Sequence, residues 1–171
     1  MGSRHGIYVM ISIVVSLYLS SSVVLAFRGQ EESLRGLKGF MVEVEILTDI
    51  LRDGLTETQI RSDVVSQVQK EGIKVYSQNE LSNITGQPTL FIRISGTKIQ
   101  DNWKFYTYSI TVHLFQEAYL ARETEGGTFR VSTWFRTHTG HGYLDDIRVQ
   151  AKDIISIFIN TYLSVNPMGR Q

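Results

Sequence analysis

The segment Phe40-Met-Val-Glu-Val-Glu-Ile-Leu47 alternates apolar and acidic residues after its first two positions. Successive side chains of a strand point to opposite faces, so the apolar even positions would lie on one side and Glu43 and Glu45 on the other. This period of two, with β-branched residues, predicts a half-buried strand. Another element of the fold must therefore cover the apolar side of this strand.

A helix is predicted directly after this strand, from about Leu55. Thr56 and Gln59 have the spacing of a capping box, and Gly72 provides a stop. An apolar face recurs every four residues at Ile60, Val64 and Val68. A short second strand is predicted at 73–76. Because strand, helix and strand follow in that order, we expect a crossover that makes the two strands parallel.

Three further strands are predicted at 89–99, 103–122 and 129–139. In the second of these, one side is apolar, formed by Tyr106, Tyr108, Ile110, Val112 and Leu114. That strand is several times the usual length of about five to six residues, so we expect a bend, a bulge or an overhang. In the last strand the alternation places Val131 and Phe135 on one face and Trp134 on the other.

A second helix is predicted at 144–163, with Asp145 and Asp146 in its first turn, where the helix dipole favours negative charge. Its apolar stripe consists of Ile147, Ala151, Ile154, Ile155, Phe158, Ile159 and Tyr162. The order β-α-β-β-β-β-α predicts an α+β two-layer sandwich: a mostly antiparallel sheet with two helices packed on one face.

The chain begins with a segment typical of export. Arg4 precedes an uncharged apolar run, residues 7–27, and Val24-Leu25-Ala26 suits signal peptidase. We therefore expect residues 1–26 to be a cleaved signal peptide; the alternative is an uncleaved membrane anchor, since a span needs roughly 20 residues. Residues 27–39 are predicted to be a lead-in or tether, 40–167 a single α+β domain, and 168–171 a tail. The domain would be periplasmic, or tethered to the inner membrane.

Composition narrows the function. The chain has no cysteine, and its 17 Lys and Arg balance 17 Asp and Glu, without a tail of one sign. Nucleic acid and anionic membrane surfaces are therefore poor candidate partners. No thiol nucleophile, Gly-x-Ser-x-Gly elbow, phosphate loop or dinucleotide motif is present. An enzyme remains open, because active sites assemble from distant loops. No cofactor is expected.

Three histidines are candidate metal ligands: His138 and His141 in Thr-His-Thr-Gly-His-Gly, and His113 on the preceding strand. Asp145 or Asp146 could add an oxygen ligand. The spacing matches no specific zinc pattern, however, and glycines beside His141 make a poor rigid frame. We therefore expect solvated histidines and no tight metal site.

Aromatic residues are concentrated in the predicted hairpin strands. One side of the long strand combines Phe105, His113 and Phe115 with Ser and Thr, and Trp134 of the next strand is predicted to join it. Such a mixed face is either ordinary solvated sheet, which is slightly favoured, or a contact surface, where Trp and Tyr are over-represented. In the second case the candidate interaction face consists of Phe105, His113, Phe115 and Trp134.

The segments FMVEVEILTD, QKEGIKVYSQ, PTLFIRISG, YTYSITVHLFQEAYLAR and FINTYLSVNP together resemble small exported bacterial proteins. The layout is also similar to small envelope assembly proteins such as the lipoprotein that plugs the lipopolysaccharide transporter, although the lipid-bearing cysteine is missing here. Taken together, these features favour a non-enzymatic accessory or binding domain that acts through protein-protein contact, with another envelope protein or membrane complex as its partner. Alternatives are a small-molecule or metal-binding periplasmic domain and, less favoured, a hydrolase. Membrane contact would come only from residues 7–27, if uncleaved.

Overall fold

The computed structural model describes residues 29–47, 49–122 and 126–167. The predicted leader and tail lie outside these residues. In chain order the elements are β1 (Gly39–Ile46), α1 (Asp49–Arg52), α2 (Glu57–Lys70), β2 (Lys74–Val75), α3 (Gln78–Leu81), β3 (Thr89–Lys98), β4 (Tyr106–Ala118), β5 (Phe129–Gly142) and α4 (Leu144–Val165).

The strands form one mixed sheet in the order β2-β1-β3-β4-β5. β1 pairs in parallel with β2 and β3, as the strand-helix-strand order predicts for β1 and β2. β3 pairs with β4, and β4 with β5, in antiparallel ladders that are the longest in the sheet. The predicted α+β sandwich is confirmed, with α1 and α3 as additional short helices.

The core lies between one face of the sheet and the helices α2 and α4. The capping box of Thr56 and Gln59 forms as expected at the start of α2, and all seven residues of the predicted α4 stripe are buried. Trp134 is only 1% exposed and joins this core. The prediction that Trp134 belongs to the interaction face is therefore wrong: it lies opposite Leu114, on the helix-covered side.

The other side of the sheet is here called the open face. In the part of the chain that the structure describes, no long helix lies over it, and only its β1–β2 border is covered. Met41, Tyr76 and Leu81 are buried there, but they lie outside the main core cluster. Met41 alternates with Phe40 and Val42, so its side chain points away from the helices.

The lead-in differs from the predicted tether over its described residues, 29–38. Leu34 is fully buried in the core, and Ser33 donates a hydrogen bond to the Thr133 carbonyl oxygen at 3.0 Å. Asn166 of the C-terminal region donates to the Leu34 carbonyl oxygen at 2.7 Å. This segment is therefore part of the domain. Across the described residues, no helix is both long and apolar enough to cross a bilayer.

Candidate interaction surface

Three parallel rings stand on the open face where β4 and β5 pair. His113 stacks on Phe115, with ring centroids 5.4 Å apart and planes at 14°, and on Phe135, at 6.0 Å and 20°. We call Phe115, His113 and Phe135 the aromatic stack. Phe91 of β3 contacts it, with its centroid 6.0 Å from that of Phe115. Strand backbones hold all these rings, so their arrangement is fixed before any partner arrives.

Charged side chains lie over and beside the aromatic stack. The Arg130 guanidinium carbon is 5.2 Å from the Phe115 ring centroid, and a nitrogen of the same group is 3.5 Å from a carboxylate oxygen of Glu43. Arg93 lies 5.3 Å from the Phe91 ring centroid and pairs with Glu45 at 2.5 Å. The two glutamates of β1 thus hold the arginines over the rings, and the surface combines apolar area with paired charges.

A bulge in β5 explains how His113 is oriented. Leu114 lies opposite Trp134 and Phe115 opposite Ser132, so Thr133 is the extra residue. The bulge turns Ser132 to the open face, where its hydroxyl is 2.8 Å from the Nδ1 atom of His113. Burial, and secondarily the positive charge of Arg93, lower the pKa of His113. Both effects favour the neutral imidazole, which suits stacking between two phenyl rings.

A second aromatic group occupies the other end of the open face. Phe105 meets Tyr143 edge to face at 5.1 Å and lies 5.9 Å from His141, measured between ring centroids. Ten residues of extended chain separate Phe105 from Phe115, which corresponds to about 30 Å. Between the two groups the face carries hydroxyl side chains: Ser95, Thr97, Thr107, Ser109, Thr111, Thr137 and Thr139.

The three candidate metal ligands do not come together. His138 lies opposite the buried Ile110 and beside Tyr108, on the helix-covered face. His113 and His141 both lie on the open face. His113 is paired with Phe135 and His141 with Thr107, so the two histidines are about 20 Å apart along the β4–β5 ladder. Within the described residues, no three His, Asp or Glu side chains are grouped to hold a metal ion.

Phe105, His113 and Phe115 are on the predicted face, but the sequence analysis missed other members. Phe135 was assigned to the same side as Val131. The bulge separates them, because Val131 is matched to Gln116 and Phe135 to His113. Phe91 could have been found from its alternation with the buried Leu90 and Ile92. The contribution of Arg130 depends on its reach across the sheet and left no signal in the sequence.

A surface depression of about 290 Å³ lies apart from the open face, at the start of β1. Leu37, Tyr76, Ile84 and Pro88 contribute to its walls. Its volume is at the lower limit of what small-molecule sites occupy.

Comparison with protein-family models finds no match to this chain, and comparison with curated proteins finds none either. The fold itself is a two-layer α+β sandwich, and the described residues leave one face of its sheet largely uncovered.

Proposed function

We propose that the protein is an exported, non-enzymatic binding domain of the bacterial cell envelope, and that it contacts another envelope protein through the open face of its sheet. The observation that carries this proposal is the aromatic stack. Three rings on a rigid sheet are partly or largely accessible, and Phe135 is 48% exposed.

The chemistry of this surface suits a protein partner. Rings already fixed by the sheet offer apolar contact area without the cost of ordering flexible side chains on binding. Aromatic residues and arginine are enriched at the centres of protein interfaces. The paired charges, Arg130 with Glu43 and Arg93 with Glu45, surround the rings as a polar rim would. A partner with an apolar patch inside a ring of mixed charge would fit.

The envelope assignment is supported by the sequence rather than by the fold. The uncharged run at residues 7–27, with a small residue at the expected cleavage point, favours export. The absence of cysteine means that the domain needs no oxidative folding step.

Affinity capture from native envelope tests the proposal, with partners identified by mass. The wild-type chain is compared with His113→Asp, which replaces the central ring by a carboxylate. Gln69→Asp on the exposed side of α2 is the matched control. We expect one partner to be recovered with the wild type and with Gln69→Asp, and to be lost with His113→Asp. Equal recovery with all three baits would overturn the proposed surface.

A further inference from the structure

Among the described residues, β5 is the last strand of the sheet and has a partner strand on one side only. It is 14 residues long, Phe129–Gly142, and pairs with β4 alone. An edge strand of this length presents a row of unpaired peptide groups, which natural proteins usually shorten, charge or cover. At the other edge the sheet ends in β2, which has two residues.

The register identifies which peptide groups of β5 are unpaired. The Ile99 N–H donates to the Phe105 carbonyl oxygen, so odd-numbered residues of β4 direct their peptide groups toward β3. Even-numbered residues of β4 therefore bond to β5, where their partners are the even positions from Trp134 to Gly142. Beyond the bulge, the residues of β5 whose peptide groups point away from β4 are Phe135, Thr137, Thr139 and His141. These are called the outward-facing residues.

Part of the β5 edge is already covered. The bulged residue Thr133 accepts a hydrogen bond from Ser33 of the lead-in. The Phe135 carbonyl oxygen has a long contact, 3.4 Å, to the exposed side chain of the adjacent Arg136, which a pairing strand can displace. Beyond Phe135, no described residue other than those of β5 itself bonds to the outer peptide groups of Thr137, Thr139 and His141. The available edge is therefore the C-terminal half of β5.

This half of β5 is complementary to itself. If two β5 strands run antiparallel about a two-fold axis at His138, Phe135 of each lies opposite His141 of the other, and Thr137 opposite Thr139. All four outward-facing residues then find partners. Thr–Thr pairs and aromatic pairs are favourable across strands. Arg136 lies opposite Gly140, so no two arginines face each other.

Moving the axis by one residue loses this match. An axis at Thr137 would place His141 against the bulged Thr133, whose carbonyl oxygen is occupied by Ser33. An axis at Thr139 would place Phe135 against Tyr143, where the strand has already ended and α4 begins. The register about His138 is the one that uses the whole free edge.

The flank of α4 beside this edge includes a large exposed apolar side chain. On one side of α4, Arg148 pairs with Asp63 of α2, and Ser156 accepts a hydrogen bond from Gln67 of α2. That side of α4 therefore faces α2. Ile157 points toward the other side by helix geometry, together with Gln150 and Thr161, and is 46% exposed. In a pair of chains joined at β5, these residues would lie near the same residues of the second copy.

We propose that two copies of this chain associate through antiparallel pairing of their β5 strands about His138, which joins two five-stranded sheets into one. The open faces of both copies then form one continuous surface. This association is independent of the proposed function, because it uses the edge of the sheet rather than its face.

Cysteine cross-linking of the full chain tests the register, and the chain has no cysteine of its own. Residues opposite each other in such a non-hydrogen-bonded pair have Cα atoms about 4.5 Å apart, within the range of about 4.4–6.8 Å for a disulfide. His138→Cys should therefore form a disulfide-linked dimer rapidly and nearly completely under mild oxidation. Thr107→Cys, exposed on the interior strand β4, is the control and should stay largely monomeric. Equal rates for both variants would overturn the register.

Sedimentation of the full chain over a concentration series tests the association itself. The wild type should form a dimer, and Thr139→Pro should be monomeric. Proline there removes an outward N–H and leaves the bonds to β4 in place, so the thermal unfolding of the variant should show a folded domain. A wild type that is monomeric at every concentration would overturn the proposal. The same result would be obtained if the edge of β5 pairs with a strand of another protein instead of a second copy.

Discussion

Trp134 and Phe158 meet edge to face in the core, with ring centroids 5.0 Å apart and planes at 74°. Phe40 contacts Phe158 in the same geometry at 5.1 Å. Phe158 therefore joins the first strand, the last strand and the last helix at one point. All three side chains are at most 1% exposed.

Truncation of this central ring tests the packing of α4 on the sheet. Phe158→Ala should lower the free energy of unfolding by about 3–5 kcal/mol, because it removes buried apolar contacts and leaves a cavity. Urea or thermal unfolding measures the loss. Val149→Ala on the exposed side of the same helix is the control and should change stability by less than about 1 kcal/mol. Similar losses for both variants would mean that α4 does not pack through Phe158.

Much of the fold could be predicted from the period of the apolar residues. The stripe of α4 and the alternation of β4 each concern one element with one buried side, and the structure bears out both. Trp134 was misplaced although the alternation correctly separated it from Phe135. Periodicity tells which residues share a side, but not which side faces the helices.

The candidate site was harder to predict because it depends on contacts between distant elements. Arg130 and Glu43 are 87 positions apart in the chain and meet above a ring of a third strand. The bulge at Thr133 reverses the phase of β5, so the positions before and after it do not share a face. Neither feature follows from the composition or spacing of a single segment.

The position of His113 in the aromatic stack should be detectable through its pKa. Because burial and Arg93 lower its pKa, Arg93→Gln should raise that pKa toward the ordinary histidine value without reaching it, since burial remains. NMR titration of the ring protons measures the change. Arg61→Gln, on the exposed side of α2, is the control and should leave the His113 titration unchanged.

The sign for stability follows from the same shift. The unfolded chain binds a proton at His113 more readily than the folded domain does, so stability falls as the pH drops through the ordinary histidine pKa. The fall ends below the folded-state pKa, where both states are protonated. His113→Gln should flatten this part of the stability curve. If the stability of His113→Gln depends on pH as steeply as that of the wild type, the dependence must come from another titrating group.

Zinc titration tests the metal hypothesis for the histidines. His138 lies on the opposite side of the sheet from His113 and His141, so we predict no saturable binding of one equivalent near neutral pH. Calorimetry of the parent and of His138→Ala should give the same small heats. Sub-micromolar binding by the parent alone would contradict the prediction and favour a metal site.

Export can be examined through the mass of native material. Val24-Leu25-Ala26 places a small residue before the expected cleavage point, so we predict that the mature chain begins at Phe27. Intact mass or N-terminal sequencing distinguishes a cleaved leader from a retained one. Ala26→Phe removes the small residue and should leave the leader attached. A native mass that includes residues 1–26 would identify the segment as an anchor.

The last prediction concerns a buried tyrosine that holds a carboxylate. Tyr106 is fully buried and donates its hydroxyl to Asp53 at 2.5 Å, and the Lys98 ammonium lies 2.7 Å from the same oxygen. The hydrogen bond from Lys98, and then that from Tyr106, lower the pKa of Asp53. The resulting stabilisation is complete above the ordinary aspartate pKa and is lost as the pH falls through the lowered one. Tyr106→Phe should therefore reduce the urea midpoint at neutral pH, and the difference from wild type should shrink as the pH falls through the lowered pKa of Asp53 and its carboxylate becomes protonated in both chains. Tyr119→Phe, at an exposed tyrosine, should follow the wild-type curve throughout. A Tyr106→Phe curve that stays parallel to that of the wild type would show that the hydroxyl acts independently of the charge on Asp53.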